Sequence, residues 1–254
     1  MACEGADGPD CLTPTQVTAL EAMYDGARDP VTGERIYFGF LRGSEAAGGP
    51  PELPGWSLYW ADPKDQSTPA RASFWQVWAF GTPDWRWQDF DFHDDVREAD
   101  DRLADTINAM SPDLEKFRSA GGKLLHYHGL ADPVVPATDS VSYYTRVQDT
   151  MGDTADFYRF FPVPGMHHCY FGPGPYELNA QDALEAWVEQ GEAPEYLVGR
   201  NPGSEQTQAY SRKICRYAEK AVLGKAGEPH SWESFTCQPA GLPDIQEVGK
   251  AYLR

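Results

Sequence analysis

The sequence predicts an α/β fold, a parallel sheet with helices packed on it, plus a mostly irregular aromatic-rich segment ahead of it. Three observations carry this. Beyond about residue 95, short apolar runs alternate with stretches of helical period, and the connections are short. Gly, Pro and Asp punctuate the joints, as in Gly121-Gly122, Gly152 and Gly191. Before residue 95 regular periodicity is weak, and six of the eight tryptophans fall between residues 56 and 87.

The elements follow in order. Residues 1–11 read as a Gly/Asp-rich loop. Residues 14–28 read as a helix, with Thr13 able to cap it, Pro14 in the first turn, and Val17, Leu20 and Tyr24 on one stripe. Residues 29–72 are rich in Pro, Gly and charge and predict no long element. Residues 74–92 carry Phe74, Trp75, Trp78, Phe80, Trp85, Trp87, Phe90 and Phe92. They are either the core of an inserted subdomain or the inner face of a lid over a pocket for flat, apolar ligands.

Residues 95–109 read as a helix, and 111–120 as a short one with Ser111 as N-cap and Pro112 at its first position. A compact strand is expected at 123–129, then a helix over 140–151 capped by Asp139, and a strand at 156–165. A helix over 178–190 is expected to turn Leu184, Trp187 and Val188 inward. The segments GLADPVVP and PGMHHC each follow a strand, at the carboxyl ends where α/β sheets place their chemistry.

Composition sets outer limits. The 254 residues suffice for one full domain or one domain with an insertion, and 41% hydrophobic with 24% charged residues is ordinary for a folded protein. A formal net charge of −18 repels phosphates and anionic lipid, so neither nucleic acid nor a membrane surface is an expected partner. No apolar run approaches the roughly 20 residues that span a bilayer. The N-terminus lacks the basic and apolar regions of a signal peptide. The expectation is a secreted or periplasmic protein in its full-length form, with the targeting segment outside this chain. Of five cysteines, Cys3 and Cys11 can close a short loop and Cys215 and Cys237 another, leaving Cys169 beside two histidines.

Asp132 follows one expected strand and His168 the next, with a helix between them. This is the acid-then-base order of a hydrolase triad. An imidazole is needed to take the proton of a hydroxyl nucleophile, and a buried carboxylate to hold the imidazole's other nitrogen in the right tautomer. His167 and His168 are adjacent, so only one can face a given site. Cys169 is too close to join both around one ion, which disfavours zinc. His126 and His128 share a strand face, where at least one is expected to be structural.

The stretches DLEKFRSAGGKLLHYHGLADPVVP, DFYRFFPVPGMHHCYFGPGP and ALEAWVEQGEAP closely resemble the C-terminal part of the tannase and feruloyl esterase family, an α/β-hydrolase family. Residues 7–40 resemble that family's entry into its lid. The resemblance implies that Asp132 is the triad acid and His168 the base. It implies that Cys169 pairs with a cysteine beside the nucleophilic serine, Cys3 with Cys11, and Cys215 with Cys237. The chain contains neither G-x-S-x-G nor C-x-S, so the serine segment is expected upstream of residue 1. The family's calcium loop is expected there too, and no cofactor is expected within the chain. His167 stands where the family motif is usually small. The stretch after Cys215 lacks the family's proline-bearing run.

The expected organisation is 1–94 as part of a lid domain and 95–254 as the C-terminal part of the catalytic domain. The expected function is the C-terminal portion of a secreted serine esterase for aromatic carboxylic esters. It supplies acid and base without the serine, so alone it is inert, and an open sheet edge lowers its stability. A separately encoded serine-bearing half is a possible partner. The alternative is a non-catalytic extracellular module that binds aromatic or glycosidic ligands through the Trp-rich segment.

Overall fold

A computed structural model describes residues 2–4, 8, 10–45, 55–56, 72–240 and 246–253. The described residues of 1–42, 59–110 and 246–254 form one compact unit, and those of 43–58 and 111–245 form another.

In the first unit, helix α1 spans Pro14–Asp25. The Thr13 side chain accepts from the Gln16 amide, and the Gln16 side chain accepts from the Thr13 amide, a reciprocal cap. The helix ends before the expected residue 28 because Gly26 turns the chain at φ 87°. A C-terminal segment is sewn onto the following loop. Gln246 donates to the Tyr24 carbonyl at 2.6 Å and accepts from Gly39 N–H at 2.8 Å, and Arg35 reaches the Glu247 carbonyl at 2.6 Å. Helix α2 spans Asp94–Ile107, and Asp91 accepts the amide hydrogens of His93 and Asp94 at its start.

A π-helical turn, Phe74–Ala79, packs beside α2, and Arg102 donates to the Ala79 carbonyl at 2.5 Å. These bonds, with the docked C-terminus, place α2 and residues 246–253 in the first unit, so the compact units do not divide at residue 94. Trp75 stacks on Phe80 and Trp85 and meets Phe90 edge-on at 4.6 Å, a small aromatic core of this segment. Trp78 stays 63% exposed. Trp60 and the rest of 57–71 lie outside the described residues.

In the second unit, helix α3 is only Glu115–Ser119. Ser111 does not cap it. The Asp113 carboxylate takes the Glu115 amide in a local turn, and the Leu114 amide points to the Met151 sulfur, so the helix starts later. Strand β1, Leu124–Gly129, helix α4, Ala137–Met151, and strand β2, Tyr158–Val163, follow. Asp139 lies inside the first turn of α4, where it suits the positive helix end, rather than capping it.

β1 and β2 pair in parallel, with Leu124 opposite Tyr158 and Gly129 opposite Val163. β2 is buried on both faces, as a covered parallel strand must be. Tyr158 and Phe160 pack with Val141, Tyr144 and Val147 of α4, and Phe161 and Val163 pack into a second cluster with Leu197 and Ile214. No other strand among the described residues pairs with β1.

A two-residue strand, β3 at Glu177–Leu178, takes the start of the expected helix, and α5 spans Ala180–Gln190. Trp187 is buried there, but Val188 is 61% exposed because the next helical position turns it outward. Four further strands were not anticipated from the sequence: β4 Tyr196–Asn201, β5 Tyr210–Cys215, β6 Glu219–Leu223 and β7 Phe235–Pro239. β3, β4 and β5 form one antiparallel sheet and β6 and β7 another. The Cys215–Cys237 disulfide joins β5 to β7, and Cys3–Cys11 closes the N-terminal loop, both as expected. No helix among the described residues is long and apolar enough to cross a bilayer.

Candidate active site

The polar residues singled out after β1 and β2 meet in the second unit. The chain leaves β1 at Gly129, where a Cβ would lie 2.2 Å from the Met166 carbonyl oxygen, so only glycine lets the two loops approach. Leu130 N–H donates to the Val163 carbonyl and Ala131 N–H to the Met166 carbonyl, tying the acid loop to the histidine loop. Asp132 then sits in a tight Asp-Pro turn. Its Oδ1 accepts from Val134 N–H at 2.7 Å and Val135 N–H at 2.9 Å.

His168 Nδ1–H donates to Asp132 Oδ2 at 2.7 Å. His128 Nε2–H donates to the same oxygen at 3.1 Å. Asp132 is buried, which pushes its carboxyl pKa up. The bonds from His128, Val135, His168 and Val134 outweigh burial and hold it below the ordinary carboxyl value. The His168 side chain is 45% exposed, and nothing among the described residues bonds its Nε2. A carboxylate fixed from four directions thus leaves one imidazole nitrogen open for proton transfer.

The histidine loop is held in an unusual backbone. Cys169 and Phe171 have φ of 67° and 61°, the left-handed region that bulky residues avoid. His167 N–H donates to the Phe171 carbonyl at 3.0 Å and closes the turn. At Gly172 a Cβ would lie 2.3 Å from the Gly165 carbonyl oxygen and 2.9 Å from the His167 ring. His167 therefore points inward and is buried, and burial lowers its pKa. The two adjacent histidines separate as required, one inside and one out. Cys169 is exposed and unpaired.

On β1, His126 pairs with the Tyr158 hydroxyl at 2.9 Å and packs on Phe160. Burial, and secondarily His128, lowers its pKa to about 4. It is the structural histidine of the pair. His128 is part of the site, and the signal for it was its place four residues before Asp132 across a glycine. Ser140 of α4, bonded to His128, was not singled out from the sequence.

Comparison with known proteins bears on the fold and the family. Feruloyl esterase B from Aspergillus oryzae, a solved structure, matches with a TM-score of 0.75 at 27% identity, over 90% of this chain and 46% of that one. The fold is thus of the α/β type found in esterases. The model of the family described as tannase and feruloyl esterase matches residues 1–238, and the chain belongs to that family. The mono(2-hydroxyethyl) terephthalate hydrolase of Piscinibacter sakaiensis is 31% identical over 264 residues, 93% of this chain and 43% of that protein. A probable feruloyl esterase B-2 of Aspergillus terreus is 34% identical over 258 residues, 90% of this chain and 46% of that protein. The chain spans about half the length of the curated relatives it matches.

Proposed function

We propose that this chain supplies the acid and the base of a serine esterase, with Asp132 orienting His168, and that the serine comes from sequence outside these 254 residues. The 2.7 Å bond from His168 Nδ1 to Asp132, with Nε2 left open, carries this reading. In the reaction His168 Nε2 takes the serine proton as the hydroxyl attacks the ester carbonyl. It then returns that proton to the leaving alcohol. Asp132 holds the ring and stabilises the imidazolium. Oxyanion donors come with the serine segment.

The substrate class is aromatic carboxylic esters, galloyl, feruloyl or hydroxyethyl terephthalate, by analogy with the relatives' names. The first compact unit, which adds α2 and residues 246–253 to the lid expected at 1–94, serves as the lid portion, and the second unit serves as the catalytic portion. Two disulfides suit an oxidising, extracytoplasmic compartment. Cys169 awaits a cysteine beside the serine, so a thiol reagent is expected to label one of the five cysteines in the isolated folded chain. Labelling of none, or of more than one, contradicts that assignment.

Assay of a chromogenic phenolic ester tests the reading. The chain alone is expected to be inert. Joined to its serine-bearing portion it is expected to hydrolyse the ester, and to lose about 10³-fold or more in rate with His168→Ala. Turnover by residues 1–254 alone that vanishes with His168→Ala overturns the missing-serine assignment. The exposed Trp78 favours a second reading, ligand binding through the aromatic segment, which predicts tryptophan quenching by ferulate without turnover.

A further inference from the structure

We infer that His128 is a positioning residue of the site, the second imidazole on Asp132, and that its Nε2–H fixes Oδ2 for His168. The inference rests on the reading of Asp132 and His168 given above and extends it to a residue one step further from the reacting atoms.

The hydrogen bonds set the tautomer of His128. Its Nε2 lies 3.1 Å from Asp132 Oδ2 and 3.1 Å from the Val135 carbonyl oxygen. Both partners only accept, so Nε2 carries the proton. Its Nδ1 lies 2.7 Å from Ser140 Oγ, and in the neutral ring it accepts the Ser140 hydroxyl proton. Ser140 sits on the second turn's edge of α4, and His128 on β1, so helix and strand grip the ring from two sides.

The consequence for Asp132 is geometric. Each carboxylate oxygen accepts two bonds, Oδ1 from Val134 and Val135 and Oδ2 from His128 and His168. The two backbone bonds hold only Oδ1, so small coupled rotations about the Cα–Cβ and Cβ–Cγ bonds can still swing Oδ2. The His128 bond removes that freedom and presents Oδ2 to His168 Nδ1. The neutral form of an exposed histidine does not otherwise prefer to carry its proton on Nδ1, so the fixed acceptor selects that tautomer and leaves Nε2 as the base. His128 is only partly buried, yet all its ring nitrogens are committed within the site.

The test is imidazole ¹H–¹⁵N correlation spectroscopy on the ¹⁵N-histidine-labelled full chain, at a pH where the rings are neutral, with assignment by single substitution. The wild type is expected to show His128 as Nε2–H and His168 as Nδ1–H. His128→Asn keeps a polar group facing Ser140 but removes the donor to Asp132. It is expected to lose the Nδ1–H signature of His168, whose ring then averages between tautomers. His128→Gln places an amide N–H near the lost Nε2 and is expected to restore that signature.

An unchanged His168 tautomer in His128→Asn, with the wild type as Nδ1–H, overturns the role of His128 alone. A wild-type His168 that is not Nδ1–H overturns the Asp132–His168 reading itself. A general structural loss in His128→Asn is distinguished by the His126 signal, which reports the β1–β2 core and is expected to stay put. Loss of both signals in the Asn and Gln variants alike makes His128 merely structural and overturns the inference.

Discussion

The two compact units each contain a buried aspartate bonded to a histidine, and the local chemistry is nearly the same. Asp29-Pro30-Val31-Thr32 and Asp132-Pro133-Val134-Val135 make the same turn, with the first carboxylate oxygen taking two amide hydrogens. His93 Nδ1–H donates to Asp29 Oδ2 at 2.8 Å, as His168 does to Asp132 at 2.7 Å. The fourth bond differs: the Tyr252 hydroxyl donates to Asp29 at 2.7 Å where His128 donates to Asp132. The far side of the imidazole differs more. The His93 side chain is 19% exposed and its Nε2 faces the Arg97 guanidinium at 3.4 Å, whereas His168 Nε2 is open. On the function proposed above, an Asp–His pair is a fastener or a base according to what meets the second nitrogen. In the first unit it ties the loop at 29–32, the start of α2 and the C-terminal segment together.

The largest expected effect separates the pairs by activity. In the serine-complete enzyme Asp132→Asn is expected to cost about 10⁴-fold in kcat, while His93→Ala leaves kcat within about twofold. Steady-state kinetics checks both, and comparable losses break the distinction.

The pH dependence of stability comes next. Burial raises the Asp29 and Asp132 carboxyls, but hydrogen bonds, first from His93 and His128 respectively, hold both below the ordinary value. Each contributes stability that is fully present above about pH 4 and lost as pH falls through its folded value. His126 adds a second slope. Its folded pKa, about 4, lies below the ordinary 6.5, so the unfolded chain binds the extra proton between these values. Stability is expected to fall as pH drops through that window, by on the order of 3 kcal/mol at most. Denaturant titrations across pH are expected to show this slope flattened in His126→Phe.

Thermal stability then divides the two histidines in the opposite sense to activity. His93→Ala and Tyr252→Phe remove bonds to a buried carboxylate and are expected to lower Tm, at roughly 2–4 °C per kcal/mol for a chain of this size. His168→Ala also takes a bond from a buried carboxylate, but on an open side where water can replace it, and is expected to lower Tm less than His93→Ala does. Differential scanning calorimetry decides. The smallest effect is chemical: diethyl pyrocarbonate is expected to modify His168 faster than His93, and Arg97→Ala to narrow the gap, as read by mass spectrometry.

The pairing of Asp132 with His168 was legible because it follows two apolar strands with glycine stops, KLLHYHG and DFYRFFPVPG. These need little beyond burial to form, and their loops emerge side by side. The pairing of Asp29 with His93 was not legible, because nothing local marks a partner 64 residues away. The strands from β4 to β7 escaped for a different reason. YSRKIC and EKAVL carry charge at strand positions, yet Arg212 lies over the Phe235 ring at 4.2 Å and Lys213 over the Tyr196 ring at 4.3 Å. Their long stems cover apolar surface, so these sequences read as polar while packing as strand. The late start of α3 likewise depends on Asp113 and Met151, which compete with Ser111 only once folded.

The most direct test is a crystal structure of this chain together with its serine-bearing portion. The account predicts a serine hydroxyl within about 2.6–3.2 Å of His168 Nε2, with Asp132 still on Nδ1. A nucleophile seated on His167 instead, or a His168 ring turned away from Asp132, contradicts it.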